Sequence, residues 1–415
     1  IRIYEETMTQ DQAIKLAVDS ILRDGCSDIT EEALELNLIR TYREGFEADI
    51  KAKLKRGNIN EMEFRPLQHI LTPKNRYVFD YRKAAIIDPA SVVKFLAIVF
   101  QYADLVEAAR VPADKNIVFS CRFNPTAEGV FDKNIGYSQW REETKTRAEA
   151  EDCKFIVSCD IAAFYDRVNI HRIKSTLISI GVAKNLVTLT DDLLLFWSKR
   201  DSYGIPVGNV ASRILAEAAL IDIDQYLLSE DIVYTRYVDD YRLFAPSLLV
   251  AQMWMNKLTT RLFRDGLMLN TGKTQVRKVE PKKDEEKNEA GKEKDDAETV
   301  LKVITKLTGG YNRIARKFIM PAEDKHKEFK KIDLSSELEL LKDQSIVEFE
   351  GIQKVVIAAL VQHRFEELIF IANVCCQYLY GLDYVIDMLL KNSNFIPQAQ
   401  RDKIADIYAE VIKRG

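Results

Sequence analysis

The chain has 415 residues, with 60 Lys and Arg against 64 Asp and Glu, a formal net charge of −4 and 47% hydrophobic residues. This length allows a large core and roughly two or three domains, and the composition excludes a fibrous, collagen-like or disordered chain. The slight acidic excess excludes a uniformly basic coat, so any phosphate-binding surface has to be local.

Six cysteines (Cys26, Cys121, Cys153, Cys159, Cys375 and Cys376) form no CxxC pair and stand near no His at zinc-finger spacing. They are expected to be free thiols in a reducing, cytoplasmic compartment. No run of about 18 uncharged apolar residues occurs, so no membrane span is expected. The most apolar stretch, Val92 to Val106, is broken by Lys94 and Asp104 and reads as a buried helix.

Residues 1–65 read as a charged helical region, with Ala13, Leu16, Ala17 and Ile21 at helical spacing and Gly57-Asn58 closing it. It holds a basic cluster, Lys51, Lys53, Lys55 and Arg56. Residues 66–280 alternate short β-rich runs with helical ones, the pattern of an α+β domain. Within them, Phe155 to Cys159 read as a strand ending at Asp160, and Val210 to Leu228 as a helix. Two further strand-like runs, Ile232 to Val238 and Tyr241 to Ala245, flank Asp239-Asp240, which predicts a tight hairpin presenting both carboxylates. Asp191-Asp192 follow Thr190 and precede an apolar run, where helix capping accounts for them. Residues 281–299 contain KKDEEKNEAGKEKDDAE, which has no aromatic or large aliphatic side chain and reads as a solvated linker or loop. Residues 300–415 read as helices, with apolar runs at Ser345–Val361, Arg364–Leu379 and Leu382–Leu390. A second basic cluster, Lys302, Lys306, Arg313, Arg316 and Lys317, surrounds Tyr311 and suggests phosphate contacts with one stacking aromatic.

Acids placed where core strands should continue are costly unless cations compensate them. Asp160, Asp239 and Asp240 would therefore meet around a pair of divalent ions, with Mg²⁺ the expected choice.

Tyr237-Val238-Asp239-Asp240 resembles the YxDD signature of reverse transcriptases. Three other segments stand in that family's order and spacing: Asp160-Ile161-Ala162-Ala163-Phe164-Tyr165; Gly204-Ile205-Pro206-Val207-Gly208-Asn209 with Ser212; and Leu269-Asn270-Thr271-Gly272-Lys273-Thr274. The resemblance implies a right-hand polymerase fold, with fingers and palm over 66–280, followed by an all-α thumb or C-terminal domain. It implies an RNA-directed DNA polymerase that joins dNTPs to a primer 3′-hydroxyl, or to a protein hydroxyl, with two Mg²⁺ ions (Mn²⁺ as a substitute). Asp160 and Asp239 would bind both ions, with the Ile161 carbonyl as a further ligand and Asp240 completing the acidic set. Tyr165 matches the gate that excludes a 2′-hydroxyl, and Phe164, on the opposite face of an extended segment, would be core. Lys273 matches the residue that neutralises departing pyrophosphate. Arg82, with Lys83 and Lys74 behind it, matches the cations that grip the triphosphate. Val207 and Gly208 would line the nucleotide loop, with Gly204 and Gly208 allowing its tight turn.

Val207 stands where many family members carry Gln, and Ser212-Arg213 where they carry Ser-Pro. With Phe119-Ser120-Cys121-Arg122-Phe123 and the helical C-terminal part, this resembles the bacterial abortive-infection and defence-associated reverse transcriptases. That likeness implies antiviral (phage) defence, an RNA template or associated non-coding RNA, a DNA product, and a helical domain that could support a homo-oligomer. The alternatives are a retron or group II intron-like enzyme and, from another class, a non-catalytic RNA-binding scaffold. No NAxxH motif favours a retron and no HNH-like region an intron enzyme, whereas a scaffold would be expected to lose the acids retained here.

Overall fold

A computed structural model describes residues 8–27, 35–73, 81–279, 326–343, 349–375, 385–386 and 389–414. Two compact units are present. The first comprises residues 1–27, 32–68 and 85–283; the second comprises 28–31, 69–84 and 284–415.

The first unit opens with α1 (Gln10–Asp24), α2 (Glu35–Thr41) and α3 (Arg43–Leu54). Thr9 and Gln12 form a reciprocal capping box on α1, which turns Ala13, Ala17 and Ile21 inward as their spacing predicted. Strands β1 (Gln68–Pro73) and β2 (Tyr81–Ile86), which fall mostly in the second unit, form a two-stranded sheet. The apolar stretch after them is two helices rather than one, α4 (Pro89–Phe100) and α5 (Ala103–Ala109). Lys94 is buried inside α4, where its ammonium donates to the carbonyls of Met62 (2.8 Å) and Glu63 (2.7 Å). Burial lowers its pKa to about 8.

The hairpin β3 (Phe123–Thr126) and β4 (Gly129–Phe131) leads to α6 (Tyr137–Ala148) and the central strand β5 (Phe155–Asp160). Four helices follow: α7 (Phe164–Arg167), α8 (Ile170–Ser179), α9 (Lys184–Trp197) and α10 (Val210–Ser229). Next come the hairpin β6 (Tyr234–Tyr237) and β7 (Asp240–Ala245), then α11 (Leu248–Arg264) and β8 (Gln275–Lys278). The resulting four-stranded antiparallel sheet has the order β6-β7-β5-β8. Its core face packs Val157, Cys159, Tyr241 and Leu243 against Leu215, Leu258 and Leu262 in one continuous apolar cluster. The alternation along β5 and β7 accounts for this, since every second side chain enters the core.

Asp191 and Asp192 do not cap a helix. Both lie within α9, where Asp191 is buried and paired with the Lys174 ammonium at 2.6 Å. The capping explanation fails because α9 starts seven residues earlier, at Lys184. His171 sits in the first turn of α8, whose N-cap is Asn169, and its ring meets the Ser202 hydroxyl at 3.1 Å.

The second unit buries its own apolar set, including Phe329, Ile352, Val356, Leu368 and Ile371, on helices His326–Lys330, Leu334–Asp343, Phe349–Val361 and Phe365–Cys375. Among the described residues, no helix is long and apolar enough to cross a membrane. None of the described cysteines is in a disulfide.

Candidate active site

Strand β5 carries Asp160 to the end of its pairing with β7, where it stands directly opposite Asp240. The β6–β7 hairpin closes from Tyr237 to Asp240 through a two-residue turn, Val238-Asp239. The Ile161 amide donates to the Asp239 carbonyl at 3.1 Å, locking the turn against the end of β5. Asp160, at the end of β5, and Asp239, in the turn, thus lie on neighbouring backbone segments, and the predicted hairpin is present. Asp240 is the first residue of β7 rather than part of the turn.

The electrostatics follow from that crowding. Burial, together with the Asp160 and Asp240 carboxylates, pushes the Asp239 carboxyl up to about 7. Burial and Asp160 also raise Asp240, although Arg242, 3.7 Å away, opposes the shift. Lys273 reaches in from the turn before β8, its ammonium 3.1 Å from Oδ2 of Asp160. Asn270, at the base of the same turn, donates from its amide to the Asp160 carbonyl (2.7 Å) and from Nδ2 to Asp160 Oδ2 (3.3 Å).

Asp160 is followed by Ile161 and Ala162, and then by Ala163 in the left-handed region (φ 48°), so the chain enters α7 instead of remaining extended. Phe164 is buried as expected, but a helical turn puts it there, not strand alternation. Tyr165 is half-buried beside it, and its carbonyl accepts from the Ile205 amide at 2.9 Å. Gly204 donates to Val168 at 2.9 Å. These bonds seat the Gly204–Asn209 loop against the segment that carries Tyr165. Gly204 (φ 96°) and Gly208 (φ 110°) both adopt the left-handed backbone that favours glycine. A Cβ on Gly204 would meet the Asp166 carbonyl oxygen at 3.5 Å. Val207 is buried and its carbonyl accepts from Ala85 at 3.4 Å, so its side chain packs inward. Asn209 caps α10, its side chain accepting from the Ser212 amide at 2.9 Å.

Other expected residues belong to the second unit or lie outside the described residues. Lys83, exposed on β2, belongs to the second unit, as does Arg82, whose side chain lies outside the described residues. Lys74 and the cluster Lys302, Lys306, Tyr311, Arg313, Arg316 and Lys317 also lie outside the described residues. In the first basic cluster, Lys51 pairs with Asp11 (2.5 Å), Lys53 with Asp49 (2.9 Å) and Glu63 (3.0 Å), and Arg56 with Glu63 (2.7 Å). That cluster is largely neutralised by its own neighbours.

Three functional candidates escaped the sequence reading. Asn270 was visible only as a motif member, with nothing to say that it would grip Asp160. Arg242 lies over the Trp140 ring, 4.9 Å from its centroid, next to Asp240. Arg236, fully buried, donates to the Val238 carbonyl at 2.9 Å. A basic residue directly before YVDD was the available signal for Arg236, but a strand arginine ordinarily faces solvent.

Among the described residues, no group of three or more His, Cys, Asp or Glu side chains is arranged so that it could hold a metal ion by itself. Magnesium does not require such a group: it is commonly held by one or two carboxylates and completed by water and substrate phosphates. The donor type suits it, because Asp160 stands opposite Asp240, both raise the neighbouring Asp239 carboxyl, and the Lys273 ammonium already stands as a cation on Asp160.

Residues 113–300 match the family model described as reverse transcriptase (RNA-dependent DNA polymerase). A comparison with curated proteins gives no match. Among solved structures, the chain is similar to an apo telomerase from Candida tropicalis truncated from its C-terminal domain, at 14% identity and TM-score 0.39, covering 60% of this chain and 58% of that one. It is also similar to telomerase from Candida albicans in complex with a fragment of telomeric RNA, at 11% identity and TM-score 0.39, covering 83% and 70%. The chain therefore spans less than two thirds of the first of these structures. The matched segment is similar to a reverse-transcriptase domain, and its mixed α and β architecture fits a right-hand polymerase fold.

Proposed function

We propose that this chain synthesises DNA from dNTPs by adding nucleotides to a primer 3′-hydroxyl or a protein hydroxyl, using Asp160, Asp239 and Asp240 to hold two Mg²⁺ ions. The observation that carries the reading is the register of β5 against β7, which sets Asp160 opposite Asp240 and beside the Asp239 turn. When bound, the metal would acidify the attacking hydroxyl and neutralise charge on the triphosphate.

The chain's own residues supply the remaining functions. Asn270 and Lys273 hold the Asp160 carboxylate in a fixed orientation. Lys273, with its side chain 60% exposed, can turn from Asp160 to the departing pyrophosphate and neutralise it there. Tyr165, linked through its carbonyl to Ile205, presents its ring where the sugar would rest and excludes a 2′-hydroxyl. Gly208 and the buried Val207 shape the loop by backbone contact, and Arg82 and Lys83 would reach the triphosphate. The fingers and palm comprise residues 66–280 and the thumb or C-terminal domain residues 300–415, where Lys302, Lys306, Tyr311, Arg313, Arg316 and Lys317 would contact nucleic acid.

Lys273→Ala should lower kcat for dNTP incorporation by about tenfold to a hundredfold, as expected for loss of a proton donor or counter-charge. Single-turnover kinetics with labelled dNTP reads this, and an unchanged rate removes Lys273 from the reaction. Tyr165→Ala should raise incorporation of rNTPs relative to dNTPs by about tenfold or more, since the discriminating contact is steric. Equal discrimination by both proteins would show that the gate lies elsewhere.

The proposed setting is antiviral defence, with an associated RNA as template and the protein in the cytoplasm. Support comes from the Val207 loop, the Phe119–Phe123 pattern and the helical C-terminal region. Purification with co-bound nucleic acid, sequencing of that material, and dNTP incorporation with Mg²⁺ test the reading together. Absence of both RNA and incorporation would refute it.

A further inference from the structure

Arg236 is the centre of a buried ionic cage that the reaction as described does not use. Its guanidinium donates to Asp224 on α10 through Nε (3.0 Å to Oδ1) and Nη2 (2.5 Å to Oδ2), and to Glu217 on the same helix at 2.9 Å. Glu217 in turn accepts from Arg110 at 2.8 Å and from the Ser120 hydroxyl. Arg110 and Arg122 share Glu107 (2.7 and 2.8 Å), and Arg122 also donates to the carbonyls of Val111 and Val118. Three guanidiniums (Arg110, Arg122 and Arg236) thus face three carboxylates (Glu107, Glu217 and Asp224), and their charges cancel. Burial works against the Arg236 charge, yet Asp224 and Glu217 hold its pKa well above the ordinary value.

The remaining guanidinium nitrogen, Nη1, is aimed at the catalytic turn, where it donates to the Val238 carbonyl at 2.9 Å. Val238 lies in the left-handed region, φ 53°. A β-branched residue there is an outlier, because such turn positions favour Gly, Asn or Asp. Strain of that kind persists only where the surroundings over-determine it. The main chain of Arg236 is fixed as well: its amide donates to Ile117 (2.8 Å) and its carbonyl accepts from Phe119 (3.0 Å). The Phe119–Phe123 segment is therefore a wall of the cage.

We infer that Arg236 is a positioning residue: anchored by Asp224, it holds the Val238 carbonyl and so fixes the direction in which the turn presents Asp239. This rests on the proposed role of Asp239 as a metal ligand. It also links the nucleotide loop to the turn, because α10 begins directly after that loop.

The test compares Arg236→Lys, Glu217→Gln, Val238→Gly and Asp239→Ala by steady-state kinetics, thermal unfolding and Mn²⁺ binding measured by electron paramagnetic resonance. A lysine keeps the charge but cannot span Asp224, Glu217 and the Val238 carbonyl together. R236K should lower kcat about tenfold or more, with dNTP KM changed less than about threefold, as expected from misplacement of a reacting group. Mn²⁺ binding should weaken about tenfold in parallel, since fixed donor geometry sets that affinity. E217Q, which leaves the Asp224 and Val238 bonds of Arg236 in place, should unfold at lower temperature while keeping kcat and Mn²⁺ affinity within about twofold.

If R236K unfolds, V238G decides the matter. A turn held by the carbonyl clamp tolerates loss of the valine side chain, so kcat should stay within about threefold, because Gly adopts this backbone without strain. A loss of more than about tenfold in V238G would show that valine packing sets the turn and would overturn the inference. So would R236K with normal kcat and Mn²⁺ affinity, or E217Q losing both as R236K does. An active D239A would instead overturn the underlying reading of the site.

Discussion

Asp239→Asn is expected to reduce dNTP incorporation by about a thousandfold or more, equivalent to roughly 4 kcal/mol of lost transition-state stabilisation, and yet to make the metal-free protein more stable above pH 7. Both effects have one cause. Burial and the two neighbouring carboxylates raise the folded-state pKa of Asp239 to about 7 from an ordinary 3.8. Between those values the folded protein binds a proton that the unfolded chain has released, so stability falls as pH rises through the window. Below about pH 4 both states are protonated and the residue is neutral in effect; above about pH 7 the full penalty applies. In chelator at pH 8 the Asn variant should melt a few degrees above wild type, and at pH 4 the difference should vanish. Mg²⁺ should raise the wild-type Tm at pH 8 and leave the variant nearly unchanged, because a ligand stabilises only the state that binds it. Scanning calorimetry over pH, with and without Mg²⁺, checks this; a variant less stable than wild type at pH 8 in chelator would falsify the strained-carboxylate account.

The second large effect is on folding. Asp224→Ala should destabilise the first unit by about 3–5 kcal/mol, the range for removing one partner from a buried ion pair. For a domain of this size that is roughly 6–20 °C in Tm. Asp224 is buried, holds the fully buried Arg236 through three bonds and also accepts from the Tyr234 hydroxyl at 3.0 Å. Removing it leaves a guanidinium with no route to water. Lys51→Ala is the matched control, because Lys51 and Asp11 form an exposed pair at 2.5 Å. Its loss should change stability by less than about 0.5 kcal/mol. Equal effects from the two substitutions in urea unfolding would mean that the buried cage is not what secures β6 to α10.

Much of the layout of the proposed site was legible in the order of residues. A β-rich run that stops at an acid, and a hairpin with acids at its join, are local patterns, and both β5 and the β6–β7 turn appear where those patterns put them. The turn glycines were readable for the same reason, since a positive φ is a single-residue property. Asp191-Asp192 looked like a helix start because two adjacent acids carry no information about a partner seventeen positions back, and it is Lys174 that decides their role. The helical turn at Phe164 depends on the left-handed Ala163 before it, which nothing in that residue's chemistry announces.

From the sequence alone come the acids, their order and the hairpin that presents two of them, because backbone propensity and hydrophobic alternation act over a few neighbouring residues. Only the tertiary structure decides that Asn270 and Lys273 close on Asp160, and that Arg236 turns inward to α10 and the Val238 carbonyl rather than out to water. Such choices balance desolvation against partners brought from distant parts of the chain, and that balance does not exist until the chain has folded.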